Sequence, residues 1–378
     1  MTLRVGKLVY GIIKLLPCLL AVLLASSCSS DVNSDEQKGN KTLVTLTIAA
    51  SGNAATASRA VSGNSSTITR AGVSDPTNKD YYIKDLTVLI FDESGDVIGS
   101  TTKQAPFSPS SDGNITIQVL TRAAKKCTVY AIANALALND GATPPFAGVA
   151  TLSALQSMVK TYADADDINN DKYLLMMGKT ADKSFDTTNS GSAAAISLQR
   201  LASRIDFNFT VNNDKKTGFP IVVDSYQLRN VPTSTLYQSD FSNNPPMPSG
   251  STSTSKYSSQ GSIASSAEGK RETYTCYVYT NTDASHKTYL LINAHSAVTG
   301  SDGTTYKVWN SEFHVNMPDI VKPNMHYTVN ITINGGATHG TAQGDCGFVF
   351  TYNAYPYFSG SILKPWQPEE TDRNLDLQ

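Results

Sequence analysis

Alternation of apolar and polar residues is the dominant pattern of this chain, and it predicts β-strands. Residues 41–50 (KTLVTLTIAA) place Val44, Leu46 and Ile48 on one face of an extended segment. A repeat of two residues is the signature of a half-buried strand. We predict further strands in the first half of the chain at 81–98 (with a turn at 93–96), 115–120, 127–134 and 173–177.

One segment of the first half follows the helical period instead. Its apolar residues are Leu152, Leu155, Val159 and Tyr162. Spacings of three and four residues place these side chains on one face of a helix. Thr151 or Ser153 can accept a hydrogen bond from the first turn as the N-cap residue. We therefore expect a helix of about three turns here.

The second half of the chain consists of strand patterns. The first is clear, because Ile205, Phe207, Phe209 and Val211 alternate with polar residues. Similar patterns occur at 218–229, 273–280, 287–293, 306–315 and 326–334. The Ser-, Gly- and Pro-rich segment 242–266 predicts a mobile surface loop. Many short strands separated by turn residues are typical of β-sandwiches.

Length and composition narrow the class of protein. The chain has 378 residues, enough for about two domains, and we place the boundary near residues 196–200. Hydrophobic residues make up 40% and charged residues 16%, which suits a packed, polar but weakly charged exported β-protein. A net charge of -2 gives no basic excess, so nucleic acid is not expected as a partner.

The first residues have the features of an export signal. Basic residues precede a short apolar run, 15–24, which is too short to span a membrane. Small residues follow directly and end at Cys28, in an arrangement that resembles a bacterial lipobox. We expect removal of residues 1–27 and lipidation of Cys28, whose acyl chains would anchor the precursor to a bilayer. The alternative is an ordinary secretory signal with a chance cysteine.

No residue pattern indicates catalysis, a metal or a cofactor. The five histidines form no HExxH or other ligand spacing, and GxSxG and P-loop motifs are absent from the sequence. Cys127 and Cys276 lie in strand patterns and are expected to be buried thiols. The acidic segment 164–171 lacks the glycine and the glutamate of a calcium loop, so we expect a solvated loop.

Five segments in order resemble those of a known family. They are YYIKDLTVLIFDESGDVI (81–98), CTVYAIANA (127–135), LQRLASRIDFNF (198–209), RETYTCYVYTN (271–281) and NMHYTVNITING (324–335). A terminal KPW (364–366) and the strand–linker–arginine arrangement upstream also match. The chain resembles a Bacteroidetes type V fimbrial subunit, a pilin of the major fimbrial subunit class.

The resemblance implies a fold and an assembly mechanism. The fold would be mainly β with a few short helices, as two transthyretin-like β-sandwich domains. In this family the first strand completes the N-terminal domain until an arginine-specific protease cuts the loop that follows. The vacated groove then accepts an extended segment of the next subunit, which is a form of β-augmentation. The implied protein is a structural subunit and not an enzyme.

Carried onto this sequence, the resemblance assigns cleavage to a loop arginine. Arg59 and Arg70 are the only arginines in the sequence between the first strand and residue 81. We favour cleavage between Arg70 and Ala71, with Arg59 and Ala60 as the alternative; both arginines could also be ordinary solvated loop residues. The expected parts are a signal peptide (1–27), a propeptide (28–70), an N-terminal domain (71–198) and a C-terminal domain (199–378).

The implied partners are other fimbrial subunits, in a homopolymer, together with the protease and, for the precursor, the outer membrane. The mature chain would lie in cell-surface fimbriae and support adhesion. Candidate donor strands are 347–352 (GFVFTY) and 359–366 (SGSILKPW), because the polar tail after Trp366 alternates only weakly. Two alternatives stay open: a minor anchor or tip subunit, or a surface lipoprotein that binds glycans through aromatic residues between Tyr352 and Trp366.

Overall fold

The structure is a computed structural model. It describes residues 41–50, 79–110, 114–139, 141–186, 194–213, 221–251, 253–263, 270–299, 303–335 and 348–356. Within these ranges the chain is mainly β, with two helices of one to two turns. The predicted fold class, mainly β with a few short helices, is confirmed.

The first half of the chain supplies eight strands and both helices. In chain order they are β1 (Lys41–Ala50), β2 (Asp85–Phe91), β3 (Val97–Gln104), β4 (Asn114–Arg122), β5 (Ala124–Ala133), α1 (Leu152–Ser157), β6 (Val159–Thr161), α2 (Ala165–Asn170), β7 (Met176–Phe185) and β8 (Ala194–Arg200). The strands predicted at 41–50, 115–120 and 127–134 are present, and the one predicted at 173–177 begins three residues later and is longer.

The second half supplies nine strands. They are β9 (Ala202–Asn213), β10 (Ile221–Val231), β11 (Ser234–Leu236), β12 (Ser255–Lys256), β13 (Lys270–Tyr279), β14 (Tyr289–Thr299), β15 (Thr305–Asn316), β16 (Met325–Gly335) and β17 (Phe348–Pro356). All of the strands predicted here from alternation are present, because each has an apolar face to bury.

Seven strands of the first half form a sheet that closes on itself in the order β1-β4-β3-β2-β5-β7-β8. Two of its junctions are narrow. β3 meets β4 only where Gly99 faces Thr121, and β7 meets β8 only where Met176 and Met177 face the end of β8. The closed sheet is therefore a flattened sandwich, with β4-β1-β8 on one side and β3-β2-β5-β7 on the other.

Glycines permit the close approach of the two sides. A Cβ atom on Gly178 of β7 would lie 2.3 Å from the backbone oxygen of Ser197 in β8. A Cβ atom on Gly99 of β3 would lie 2.7 Å from Cβ of Thr121 in β4. Since neither position has room for a side chain, glycine is required where the backbones cross.

The second half repeats the topology of the first. Its two sheets have the orders β13-β9-β16-β17 and β12-β10-β14-β15. β9, the first strand of this half, lies between antiparallel β13 and parallel β16. β1 has the same place in the first half, between antiparallel β4 and parallel β8. The two halves therefore have the same arrangement, and β17 is an additional strand on the edge of β16.

The predicted helix is shorter than expected. Thr151 is its N-cap, as predicted, and its side-chain oxygen accepts a hydrogen bond from the Ala154 amide at 3.2 Å. The helix ends at Ser157, and Val159 begins β6, which pairs with β11. Partners more than seventy residues away in sequence thus override the local helical period, as tertiary contacts often do.

Two segments predicted as loops are ordered. The acidic segment forms α2, where Asp164 and Asp167 make reciprocal capping hydrogen bonds with each other's backbone amides. Within the Ser-rich segment, residues 255–263 pack along β10 and bury Tyr257 and Ile263. The prediction of a mobile loop at 242–266 is wrong for residues 255–263, because two apolar side chains within the polar stretch are enough to dock it.

We expect Gly178→Ala to lower the free energy of unfolding by about 1–3 kcal/mol, because the new methyl group would push β7 away from the β8 backbone. Urea denaturation of the full chain measures this change. Gly148→Ala is the matched control, since no atom lies within 4 Å of the position of its Cβ. Equal effects of the two substitutions would contradict the proposed close crossing.

Candidate functional site

β1 fills a slot in the first sandwich with alternate side chains. Val44, Leu46 and Ile48 point into the core and are 2%, 0% and 0% exposed. Leu43, on the opposite face, is 46% exposed. The alternation read from the sequence therefore has the predicted orientation. Burial of each inward side chain contributes about 1.5–3 kcal/mol relative to an exposed position, so β1 is bound largely by its apolar face.

The backbone of β1 is paired on both sides. It runs antiparallel to β4, from Lys41 opposite Arg122 to Ala49 opposite Asn114. It runs parallel to β8, from Leu46 opposite Ala194 to Ala50 opposite Leu198. β1 is thus the central strand of the three-stranded side, and its removal would leave two unpaired strand edges facing each other.

The walls of the slot are apolar. Buried side chains of β4 (Ile115, Ile117 and Val119) and of β8 (Ile196 and Leu198) belong to the same core as the inward face of β1. A strand removed from this position would expose these side chains to water. An empty slot is therefore a binding site for any extended segment with apolar residues at alternate positions.

The described residues on either side of segment 51–78 lie at the same end of the sandwich. β1 ends at Ala50, which faces Leu198. Two residues further along β8, the Arg200 side chain is buried and its Nε donates a hydrogen bond to the backbone oxygen of Asp80 at 2.5 Å. A break anywhere between residues 51 and 78 would therefore leave both flanking segments held by their own contacts.

Lys79 and Asp80, at the start of the second described range, are anchored independently of β1. The Lys79 ammonium donates to the backbone oxygens of Ile168 and Asn169, at 2.9 and 3.0 Å. Burial lowers the pKa of Lys79 to about 8, although Asp171 and Asp80 oppose this shift. The ammonium lies at the C-terminal end of α2, where the helix dipole favours a positive charge.

Asp80 connects this anchor to the second half. Its carboxylate accepts hydrogen bonds from the Tyr277 hydroxyl at 2.6 Å and from the Arg204 guanidinium at 3.1 Å. Arg204 also bonds Asp206, 2.9 Å away on the same strand. Asp80, near the start of the second described range, is therefore held by the Arg204 guanidinium of β9 and the Tyr277 hydroxyl of β13.

Asp206 is the centre of this charged network. Burial alone would raise the pKa of its carboxyl group, but hydrogen bonds from His326, Arg204 and Thr275 outweigh burial and hold the pKa well below its usual value. The His326 Nε2 and Thr275 Oγ1 atoms each lie 2.7 Å from a carboxylate oxygen. The network joins β9, β13 and β16 and has a structural role.

The predicted modification sites lie outside the described residues. These are Cys28, Arg59, Ala60, Arg70 and Ala71. Of the predicted site, the structure describes the first strand and its slot. Sequence patterns did not reveal the parallel neighbour β8 or the anchor formed by Lys79 and Asp80. Neither has a local signal, since both depend on residues that lie far away in the sequence, 89 and 90 positions for the Lys79 hydrogen bonds.

The two described cysteines lie in the core. Cys127 and Cys276 are free, buried thiols, and burial raises the pKa of Cys127 to about 11, so neither is a reactive thiolate at neutral pH. Within the described ranges, no group of three or more His, Cys, Asp or Glu side chains could hold a metal ion. In the same part of the chain, no helix is long and apolar enough to cross a membrane.

Comparison with known proteins relates the chain to one family. Residues 44–223 match the family model of the major fimbrial subunit protein (FimA). This confirms the resemblance inferred from the sequence segments. No curated protein sequence matches the chain.

Solved structures share its fold. Two candidate cell adhesion proteins from Parabacteroides distasonis superpose with TM-scores of 0.55 and 0.53, at 16% and 12% identity. They cover 86% and 84% of this chain and 99% of their own chains. A candidate cell adhesion protein from Bacteroides eggerthii has a TM-score of 0.51 at 18% identity, covering 73% of this chain and 89% of its own.

We expect Leu46→Ala to lower the free energy of unfolding of the full chain by about 2–5 kcal/mol, because it leaves a cavity where a fully buried side chain packs in the core. The matched control is Leu43→Ala, on the opposite face of β1, where the free energy of unfolding should change by no more than about 0.5 kcal/mol. Urea denaturation monitored by tyrosine fluorescence measures both. Comparable losses would mean that β1 is not inserted in this orientation.

The low pKa of Asp206 predicts an acid dependence of stability. Its folded-state pKa lies below the unfolded value of about 3.9, so the network stabilises the fold above that pH. This stabilisation is lost as the pH falls further, because the unfolded state then binds more protons. Asp206→Asn should therefore be less stable near neutral pH, by about 1–3 kcal/mol.

The same variant should lose less stability than the parent chain on acidification below about pH 4. Urea midpoints measured across this range test the expectation. Asp224→Asn, which removes a more exposed carboxylate bonded to His295, is the control and should show the smaller change. Parallel pH profiles for the parent and Asp206→Asn chains would refute the assignment.

Proposed function

We propose that the protein is a fimbrial stalk subunit of the major fimbrial subunit protein (FimA) family, whose model matches residues 44–223, and that it polymerises by strand exchange at the β1 slot. The family is one of structural fimbrial subunits and not a class of enzyme. Membership implies a place in cell-surface fimbriae, in contact with other fimbrial subunits. We further propose that the chain is exported as a lipoprotein, cleaved after an arginine and joined to its neighbours by strand donation.

One observation carries the proposal. β1 is the central strand of its sheet, yet only segment 51–78 connects it to the rest of the described chain. Both ends of that segment have their own anchors, Ala50 against β8 and Asp80 against Arg200. A strand that can be severed without disturbing its neighbours, in a slot lined by apolar residues, suits replacement by a strand of another subunit.

The proposed maturation has three steps. The signal peptide, residues 1–27, is removed and Cys28 is lipidated, which holds the precursor at the outer membrane. An arginine-specific protease then cuts between Arg70 and Ala71, or between Arg59 and Ala60, and so detaches the lipid-bearing propeptide. The mature chain consists of an N-terminal domain, 71–198, and a C-terminal domain, 199–378.

The C-terminal strands are the proposed donors. β17 lies at a sheet edge and pairs with β16, from Met325 opposite Pro356 to Ile333 opposite Phe348. An edge strand has one neighbour to leave, so its release disturbs less of the sheet than release of a central strand. Segment 359–366 is the second candidate donor, by its sequence. In a homopolymer, either one would enter the β1 slot of the next copy.

The decisive measurement is the N-terminal sequence and intact mass of the chain from outer membranes and from sheared surface fibres. We expect a species that begins at Ala71 in the fibres and a lipidated precursor that begins at Cys28 in the membrane. Arg70→Ala should abolish the Ala71 species and fibre incorporation, whereas Arg59→Ala should leave both unchanged. Cys28→Ala should release the precursor from the membrane.

Different outcomes separate the alternatives. Reversal of the two arginine phenotypes would move the cut to Arg59. A chain that always begins at lipidated Cys28 and never enters fibres would contradict the stalk role. An anchor or tip subunit, or a glycan-binding lipoprotein, would then remain.

A further inference from the structure

The sheet β12-β10-β14-β15 of the second half has one face in the core and one face turned away from it. Leu228, Leu290 and Ile292 are fully buried and belong to the core. Successive residues of a strand point to opposite faces, so the residues between them lie on the other side of the sheet. We call this side the outer face; its residues in β10, β14 and β15 include Gln227, Arg229, Tyr289, Leu291, Asn293 and His314.

Two cationic side chains lie next to each other at one edge of the outer face. Arg229 of β10 is directly opposite Lys256 of β12, and opposite residues of neighbouring strands share a face. Like charges in such positions destabilise a sheet. Among the residues that the structure describes, neither side chain has a hydrogen-bond or ion-pair partner. The described chain therefore leaves this positive charge unbalanced.

Arg229 differs from the other arginines whose side chains are described. Arg122 and Arg204 each form a salt bridge with an aspartate, and Arg200 donates to a backbone oxygen. The Nε atom of Arg229 is buried and has no hydrogen-bond partner. The guanidinium is thus held by packing, and its hydrogen-bonding capacity is left to a partner from outside the described chain. The planar guanidinium suits a carboxylate, which accepts two parallel hydrogen bonds from it.

Two stacked rings lie beside these charges. Tyr289 is opposite Arg229 across the β10–β14 pair. Its ring packs on the His314 ring of β15, with centroids 4.7 Å apart and an interplanar angle of 28°. Tyr289 is half-buried, and the His314 side chain is 49% exposed. Exposed rings with polar groups around them form a ledge on which the apolar face of a sugar ring can pack.

Two amide side chains extend the outer face with hydrogen-bond acceptors. The Gln227 amide nitrogen donates to the Tyr257 backbone oxygen, and Asn293 Nδ2 donates to Ser225 Oγ at 3.2 Å. With their nitrogens engaged in this way, both amides offer an oxygen as an acceptor. The hydroxyl groups of a sugar are donors that match such acceptors.

The charge of the outer face changes sign across the sheet, and this limits the kind of anion that it suits. Glu312 of β15 is opposite Asn293, and its side chain is 59% exposed. A polyanion with closely spaced charges, such as nucleic acid, would bring phosphates against this carboxylate. The four strands make the face about 14 Å wide. An extended polymer with many hydroxyl groups and widely spaced carboxylates fits both the width and the charge.

We propose that the outer face binds an acidic polysaccharide, with a sugar carboxylate on Arg229 and Lys256 and a sugar ring on Tyr289 and His314. The outer face includes no residue of β1, β4, β8 or β17, the strands to which polymerisation is assigned. The inference therefore goes beyond subunit assembly. In a fibre, each subunit would present one such face, and many weak contacts would combine into firm attachment.

Binding is measured by biolayer interferometry with the uncut full chain carrying Cys28→Ala, so that neither cleavage nor fibre growth is needed. The immobilised probe is a hyaluronan oligosaccharide, whose alternate sugars carry a carboxylate. We expect binding, and we expect methyl esterification of the carboxylates to weaken it at least about tenfold. Absence of hyaluronan binding, or equal binding of the ester, would overturn the inference. Duplex DNA that binds as tightly as hyaluronan would also overturn it, in favour of a general polyanion surface.

Substitutions of Arg229 test the charged edge. Arg229→Gln should weaken hyaluronan binding about tenfold, because it removes the charge and the forked donors. Arg229→Lys keeps the charge without the fork, and its affinity should lie between those of the parent and Arg229→Gln. Lys103→Gln, at an exposed position of β3 in the first half, is the matched control for net charge and should change the affinity less than about twofold. Equal losses for Arg229→Gln and Lys103→Gln would contradict a site at Arg229.

Substitutions of Tyr289 test the ledge. Tyr289→Ala should weaken hyaluronan binding about fivefold, whereas Tyr289→Phe keeps the ring and should bind within about twofold of the parent. Urea midpoints confirm that each variant folds. Unchanged affinity of Tyr289→Ala would overturn the assignment of a sugar ring to this position. Normal Ala71 fibres from a chain that does not bind hyaluronan would refute this inference alone, and an uncut chain that binds it would refute the proposed function alone.

Discussion

The pairing of β1 with two strands of opposite direction is the interaction on which the first half depends. β4 and β8 pair with the strands of the facing sheet only at narrow junctions, so β1 is what joins them into one side of a sandwich. Three aliphatic side chains insert between them and complete the core. The body of the subunit is therefore complete only when a strand occupies this place, whichever molecule supplies it.

The second half shows what the same topology does when the strand cannot leave. β9 lies between β13 and β16 as β1 lies between β4 and β8. A single residue, Leu201, separates it from β8, and the Asp206 network ties it to both neighbours. The two halves differ in how the first strand is connected: β9 follows β8 directly, whereas β1 is attached to the rest of the described chain by a long segment.

Most of the strands could be predicted from the sequence, because a two-residue period directly reflects one buried face. The division of β1 into two faces could be predicted to the residue. The end of α1 could not be predicted in this way, because Val159 belongs to a strand whose partner lies far along the chain. The same holds for the ordered part of 242–266, for the parallel neighbour β8 and for the Lys79 anchor, all of which arise from distant contacts that leave no local pattern.

The mixed pairing of the slot has a consequence for any filament built from it. Antiparallel pairs and parallel pairs space their hydrogen bonds differently, and β4 and β8 are set for one chain direction. A strand inserted backwards would have to change the bonding pattern on both walls. Successive subunits joined through this slot would therefore all point the same way, giving a filament with two different ends.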